Sequence, residues 1–207
     1  MSEIELDERA QRIVDTAIAL AERDGFAAVR LRDVASTAQV ALGTVYKRFA
    51  SKEAILVAAL EQEADRLLGR FGDRPVPGAS PSERVCLLIQ RITDGMARRP
   101  NLTRALMRSI ASGDPSITGR VAGFHALITA LVIAAIRGDA PNTHAEYGGG
   151  ADQRERNIAL VLQQVWFAAL VGWAGGLHDM ATVVAQVEMT AHMLLRGAPG
   201  ATTQATG

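Results

Sequence analysis

Between residues 30 and 52 the chain carries Arg30, Arg32, Lys47, Arg48 and Lys52 against a single acid, Asp33, although the whole chain balances 22 Lys and Arg with 22 Asp and Glu. Cations gathered in one stretch of a neutral chain suit a polyanion met locally, and duplex DNA is the commonest such partner. Among them stand Gly43, Thr44 and Tyr46. A glycine lets a backbone come close to phosphates, a threonine hydroxyl reaches a base edge or a phosphate, and a tyrosine offers a hydroxyl on a rigid ring. The chemistry implied is recognition rather than bond making.

Two short helices must position these groups. Leu31, Val34, Ala35 and Ala38 recur at the spacing that shares one helical face, Gln39 and Val40 make a turn, and Leu42, Val45 and Phe49 share a face again. This leaves Gly43 and Lys47 on the outer side of the second helix, flanked by Thr44 and Tyr46. A helix of seven or eight residues is not stable by itself in water, so its neighbours must hold its inner face while its outer face is free for a major groove. Ser51 is placed to cap the following helix, bringing Lys52 and that helix's free amides toward a phosphate oxygen. The candidate DNA contacts are thus Arg30, Arg32, Leu42, Gly43, Thr44, Tyr46, Lys47 and Lys52.

Gly43-Thr-Val-Tyr-Lys-Arg-Phe49, followed by Ala-Ser-Lys-Glu53, resembles the recognition helix and fourth-helix start of the TetR family of bacterial one-component repressors. Gly25 to Ala35 resembles the family's approach to its second helix, and the likeness spans roughly residues 10 to 60. Two positions depart from the pattern: Arg30 and Ala41 stand where the family favours a capping Ser or Thr. Each missing cap costs about 1 kcal/mol, and Arg30 is free to meet a phosphate instead.

Apolar residues make up 48% of the chain and aromatics 4%; Ala, Leu, Val and Ile recur at helical spacing almost throughout. An all-α fold of about nine helices follows, with a three-helix helix-turn-helix head and a helical ligand-binding and dimerisation domain. The acidic, polar start lacks the regions of a signal peptide, and no run of about eighteen uninterrupted apolar residues offers a membrane span, so the expected location is the cytoplasm with no membrane partner. Cys86, the only cysteine, sits between Val85 and Leu87 and reads as an ordinary buried thiol.

The first helix is expected from Asp7 to Asp24, ended by Gly25, with Ile13, Val14, Ala17, Leu20 and Ala21 inward. The fourth starts at Ser51 and runs to Arg70. Gly72 to Pro81 breaks the chain. Further helices are expected near 82–98, 101–111, 115–137, 152–176 and 179–196, with a mobile loop from Gly138 to Gly150. We read residues 1–52 as the DNA-binding domain, 53–197 as the effector and dimerisation domain, and 198–207 as a disordered tail.

The last two helices are apolar on more than one face, with Ile158, Val161, Leu162, Val165, Ala169 and Trp173 in one stripe and Leu160, Phe167, Leu170, Val171 and Leu177 in another. Such a helix needs a second surface. The TetR resemblance implies that this surface is a second copy, so that a homodimer presents two recognition helices to a near-palindromic operator.

The domain after the head is far larger than dimerisation needs, which points to a pocket for a hydrophobic small-molecule effector. Candidate lining residues are Met96, Leu102, Leu106, Met107, Ile110, Phe124, Leu127, Leu131, Trp166, Phe167 and Leu170. Met96 to Arg108 and Val165 to Trp173 resemble segments of actinobacterial sterol-catabolism repressors of the KstR type. That resemblance implies a sterol-derived or fatty acyl-CoA as effector, for which Arg98, Arg99, Arg104 and Arg108 would supply cations. A ligand wedging helices five to eight apart would shift helix four and carry the heads out of register.

Two rivals remain at this point: a DNA-binding dimer without a small-molecule effector, and an all-helical enzyme. His125, His144, His178 and His192 are scattered, and Glu188 with His192 offers only two ligands at i,i+4. His125, within an apolar helix, reads as a satisfied core histidine. No catalytic residue, metal site or cofactor is assigned.

Overall fold

The computed structural model describes residues 3–71, 74–140 and 150–196. Among them are nine α-helices: α1 (Glu3–Asp24), α2 (Leu31–Thr37), α3 (Leu42–Arg48), α4 (Lys52–Phe71), α5 (Pro81–Ala97), α6 (Pro100–Ile110), α7 (Thr118–Arg137), α8 (Gln153–Ala174) and α9 (Met180–Leu195). Short 3-10 turns at Phe26–Ala28 and Pro115–Ile117 lead into α2 and α7. Described segments contain no strand. The expected all-α class is the one observed.

Local chemistry explains most boundaries. Gly25 adopts φ 77° and ends α1 by accepting a conformation that a side chain would strain. Pro81 opens α5 at a position where its missing N–H costs nothing, and Ser80 accepts from the Glu83 amide. Asp152 and Glu155 form a capping box at α8, and Asp179 accepts from the Thr182 amide at α9. As expected, neither Arg30 nor Ala41 makes a side-chain cap. In the turn between α2 and α3, Gln39 takes φ 55°, a left-handed conformation costing roughly 1–2 kcal/mol outside glycine.

α1 packs on α4 and α6, α4 on α6, and α5 on α7 and α9, while α8 lies between α7 and α9. One apolar core runs without interruption from the head to the body. Arg84 of α5 strengthens the α5–α7 contact by donating to the Ala135 and Ile136 carbonyls at 2.7 and 2.8 Å, the orphan acceptors of α7's last turn. Arg137 of α7 pairs bidentately with Glu155 of α8 at 2.9 and 2.6 Å.

Several expectations need correction. α1 begins at Glu3 rather than Asp7. Cys86 is half-buried, not buried; partial desolvation pushes its thiol pKa up. The first apolar stripe of α8 is not uniform: Ile158, Leu162, Ala169 and Trp173 are buried, while Val161 is 45% exposed. The second stripe divides as well: Leu170 is 1% exposed and Phe167 half-buried, while Leu160, Val171 and Leu177 are exposed. Two helical stretches, 115–137 and 153–174, are long and apolar enough to cross a membrane by length and composition alone, a test that buried core helices also pass. The interval 141–149, with His144, and the tail after residue 196 lie outside the described residues.

Candidate DNA-reading face and effector cavity

α3 is held by Val45, fully buried, and by Phe49, which closes it. The opposite side is open: Gly43, Tyr46, Lys47 and Arg48 are exposed, while Leu42 and Thr44 are half-buried. Tyr46 is 57% exposed, the one large apolar residue outside α8, α9 and their connection to be so among the described residues. A Cβ built on Gly43 meets nothing within 4 Å, so nothing inside this chain demands glycine there. Arg30 and Arg32 are exposed beside the start of α2.

The start of α4 is tied to the body. Ser51 Oγ accepts from the Ala54 amide at 3.1 Å and donates to Asp114 at 2.8 Å; hydrogen bonds from Ser116 and Ser51 hold the Asp114 carboxyl below its ordinary pKa. Lys52 Nζ lies 3.8 Å over the Phe26 ring, and Arg108 sits over the same ring at 4.5 Å. Phe26 therefore joins a candidate phosphate contact to α6 through two cation–π contacts.

Within the body lies a cavity of about 210 Å³, walled by α4, α5, α6, α7 and α8. Of the residues expected to line a pocket, Met96, Leu102, Leu106, Phe124, Leu127, Leu131 and Trp166 surround it. Met107, Ile110, Phe167 and Leu170 do not. Met107 turns toward a more open groove of about 460 Å³ on the other side of α6, Phe167 packs edge-on against His125 at 5.4 Å, and Ile110 and Leu170 are core residues. The wall from α4, including Leu60, Ala64, Leu67 and Leu68, was missed; its i, i+4, i+7, i+8 spacing was visible but reads equally as plain core.

The four arginines separate as well. Arg98 and Arg99 line the cavity. Arg104 stacks on Trp173 at 4.8 Å and Arg108 on Phe26, both on the groove side of α6. Arg99 is fully engaged: it donates to both oxygens of Glu22 at 2.9 and 2.7 Å, and to Glu63 at 2.8 Å. Glu22 lies in the reading head, and the Arg99 guanidinium holds its carboxyl below its ordinary pKa. The hydrogen bonds to Glu22 and Glu63 raise the guanidinium pKa in turn. Nothing near Glu22 in the sequence announced this pairing.

His125 is half-buried rather than a core histidine. Its ring hydrogen-bonds Gln163, which also accepts from Thr129 at 2.7 Å, and desolvation pushes its pKa down. Trp166 donates to Thr93 at 3.0 Å in the core beside the cavity. No group of three or more metal-ligating side chains comes together among the described residues.

A short exposed helix on a three-helix head, continuous with a helical body that encloses a cavity, defines a helix-turn-helix DNA-binding regulator. The profile described as "Bacterial regulatory proteins, tetR family" matches residues 13–59, and that described as "Tetracyclin repressor-like, C-terminal domain" matches residues 78–194. The HTH-type transcriptional repressor KstR of Rhodococcus jostii (strain RHA1) is 35% identical over 188 residues, covering 91% of this chain and 83% of the relative. Its namesake from Mycobacterium tuberculosis is 31% identical, covering 91% and 81%. Among solved structures, a TetR regulator from Rhodococcus sp. RHA1 superposes with a TM-score of 0.78 at 24% identity, covering 94% of this chain and 99% of that one. Thermus thermophilus FadR, solved in complex with lauroyl-CoA, gives 0.60 at 23%, covering 96% and 99%. The chain belongs to the TetR family and is a TetR-type transcriptional repressor.

Proposed function

We propose that two copies pair through α8 and α9 and read a near-palindromic operator with residues 1–52, and that residues 53–197 release it when a hydrophobic, lipid-derived molecule enters the cavity. The contacts to DNA come from Arg30, Arg32, Leu42, Gly43, Thr44, Tyr46, Lys47 and Lys52. What supports the pairing is the distribution of exposed apolar side chains: Leu160, Val161, Val171, Leu177, Met189 and Met193, 41–83% exposed, all fall on these helices or their connection.

The single observation that carries the effector reading is the position of α4. Only three residues separate this helix from the reading helix, and it supplies one wall of the cavity. At about 210 Å³ the space is below the roughly 300–1,000 Å³ of typical ligand sites, so an occupant of lipid size displaces a wall. Displacing α4 moves the head. An acyl-CoA suits a lining that is apolar but includes Arg66, Arg98 and Arg99, and FadR of T. thermophilus holds one.

Operator binding followed by fluorescence anisotropy, with fatty acyl-CoAs and a steroid acyl-CoA added, tests this reading. Release at micromolar thioester is the expected result. By linkage, operator must weaken thioester binding by the same factor. Operator binding that ignores every lipid would instead favour a repressor whose small cavity is vestigial.

A further inference from the structure

The charged side chains that line the cavity are mainly cationic, and the reading head already supplies one of them with an anion. Arg66, Arg98 and Arg99 line the cavity with a single acid, Glu63. Among the described residues, Arg98 pairs with no carboxylate, whereas Arg66 and Arg99 share Glu63 at 2.8 Å each. In the lining itself three cations face one anion; α1 supplies two further carboxylates, Asp15 at 3.8 Å from Arg66 and Glu22, which meets Arg99 through a two-oxygen contact, the strongest geometry that an arginine and a carboxylate adopt.

We infer that Glu22 is a built-in competitor: the effector carries an anionic group that takes Arg99 from Glu22, and loss of this tie uncouples the reading head from the body. The inference rests on the effector reading above and adds to it a named switch, the exchange of Arg99 between Glu22 and the acidic group of the effector. Arg99 serves both sites because its side chain reaches α1 on one side and the cavity on the other. Asn101 holds the same end of α1 by donating to the Glu22 carbonyl at 3.2 Å, so displacement of the carboxylate loosens the head without detaching it. Arg98 gives the incoming anion its first contact, and Arg99 follows.

The carboxylate of a free fatty acid and the phosphates of an acyl-CoA meet the same need, so laurate, lauroyl-CoA and the neutral lauryl alcohol form three arms, with probe binding measured by calorimetry with and without operator DNA. Expected for the wild type is a coupling factor within the usual 5–150-fold range for at least one acidic probe, with operator affinity unchanged within about twofold by the alcohol. Which acid acts separates carboxylate from phosphate. Glu22→Gln keeps the fold, since Glu22 is exposed; it binds the acidic probe more tightly, holds operator more weakly, and shows a coupling factor within about twofold of one. Arg99→Met loses tenfold or more in affinity for the acidic probe. Asp15→Asn, which removes another α1 carboxylate near Arg66 (3.8 Å), leaves coupling intact.

Wild-type coupling preserved in Glu22→Gln, or release by lauryl alcohol equal to that by the more effective of the two acidic probes, overturns the switch while the effector reading stands. If none of the probes alters operator binding by the wild type, both fall.

Discussion

The reading helix and the last two helices each leave side chains in solvent, and the kinds of side chain differ. α3 exposes Gly43, Tyr46, Lys47 and Arg48, a glycine, a hydroxyl-bearing ring and two cations. α8, α9 and their connection expose Leu160, Val161, Val171, Leu177, Met189 and Met193, which water disfavours. The first surface suits a charged, hydrated groove that is met and left; the second suits a lasting apolar contact. Exposure alone therefore does not identify a functional face. The chemistry of what is exposed does.

Breaking the apolar side of this comparison has the largest expected effect. Leu160→Glu with Val161→Glu, at positions 48% and 45% exposed, leaves the monomer folded, places charge in the proposed interface, and yields a monomer in sedimentation velocity. Operator affinity then falls by about 10²–10⁴-fold, the advantage that two linked contacts ordinarily confer.

Changes on the cationic side are smaller and leave assembly alone. Tyr46→Ala and Lys47→Ala each cost about 1–3 kcal/mol of operator binding, and the lysine change lowers the salt slope by about one; the melting temperature stays constant in both. Gly43→Ala sharpens the point because its two effects have opposite signs. Open space around this position and the helix preference of alanine raise stability by up to about 1 kcal/mol, while the added methyl weakens the operator complex. A binding loss without a stability gain would mean that Gly43 serves the fold.

The smallest effect concerns His125, between the two regions in α7. Desolvation lowers its pKa from the usual 6.5, so the proton prefers the unfolded chain. This stability is fully present above pH 6.5 and declines as pH falls below it. Melting temperature should drop between pH 7.5 and 5.5, and His125→Gln should flatten the drop.

Legibility differed between the regions for a physical reason. Short-range signals wrote the head: Val34, Ala35 and Ala38 before the turn, Val45 and Phe49 after it, and Ser51 at the next cap are all buried or bonded as their spacing indicates. Body helices were also legible as elements, since Gly and Pro punctuate them and Asp152 and Asp179 cap them. The cavity was readable only in part. Leu102 and Leu106 line it while Arg104, Met107 and Arg108 face the groove behind, a division that depends on which neighbours flank each side of α6.

From its sequence alone this protein was determined to be all-helical, to carry a helix-turn-helix head, and to gather its cations on one short segment. Those properties come from periodicity, capping and charge within a few turns of chain. Tertiary structure decided that α4 walls the cavity, that Arg98 and Arg99 reach it while Arg104 and Arg108 do not, and that Glu22 meets Arg99 across 77 residues. Spacing fixes which residues share a face of a helix, but only the packing of distant helices decides what that face meets.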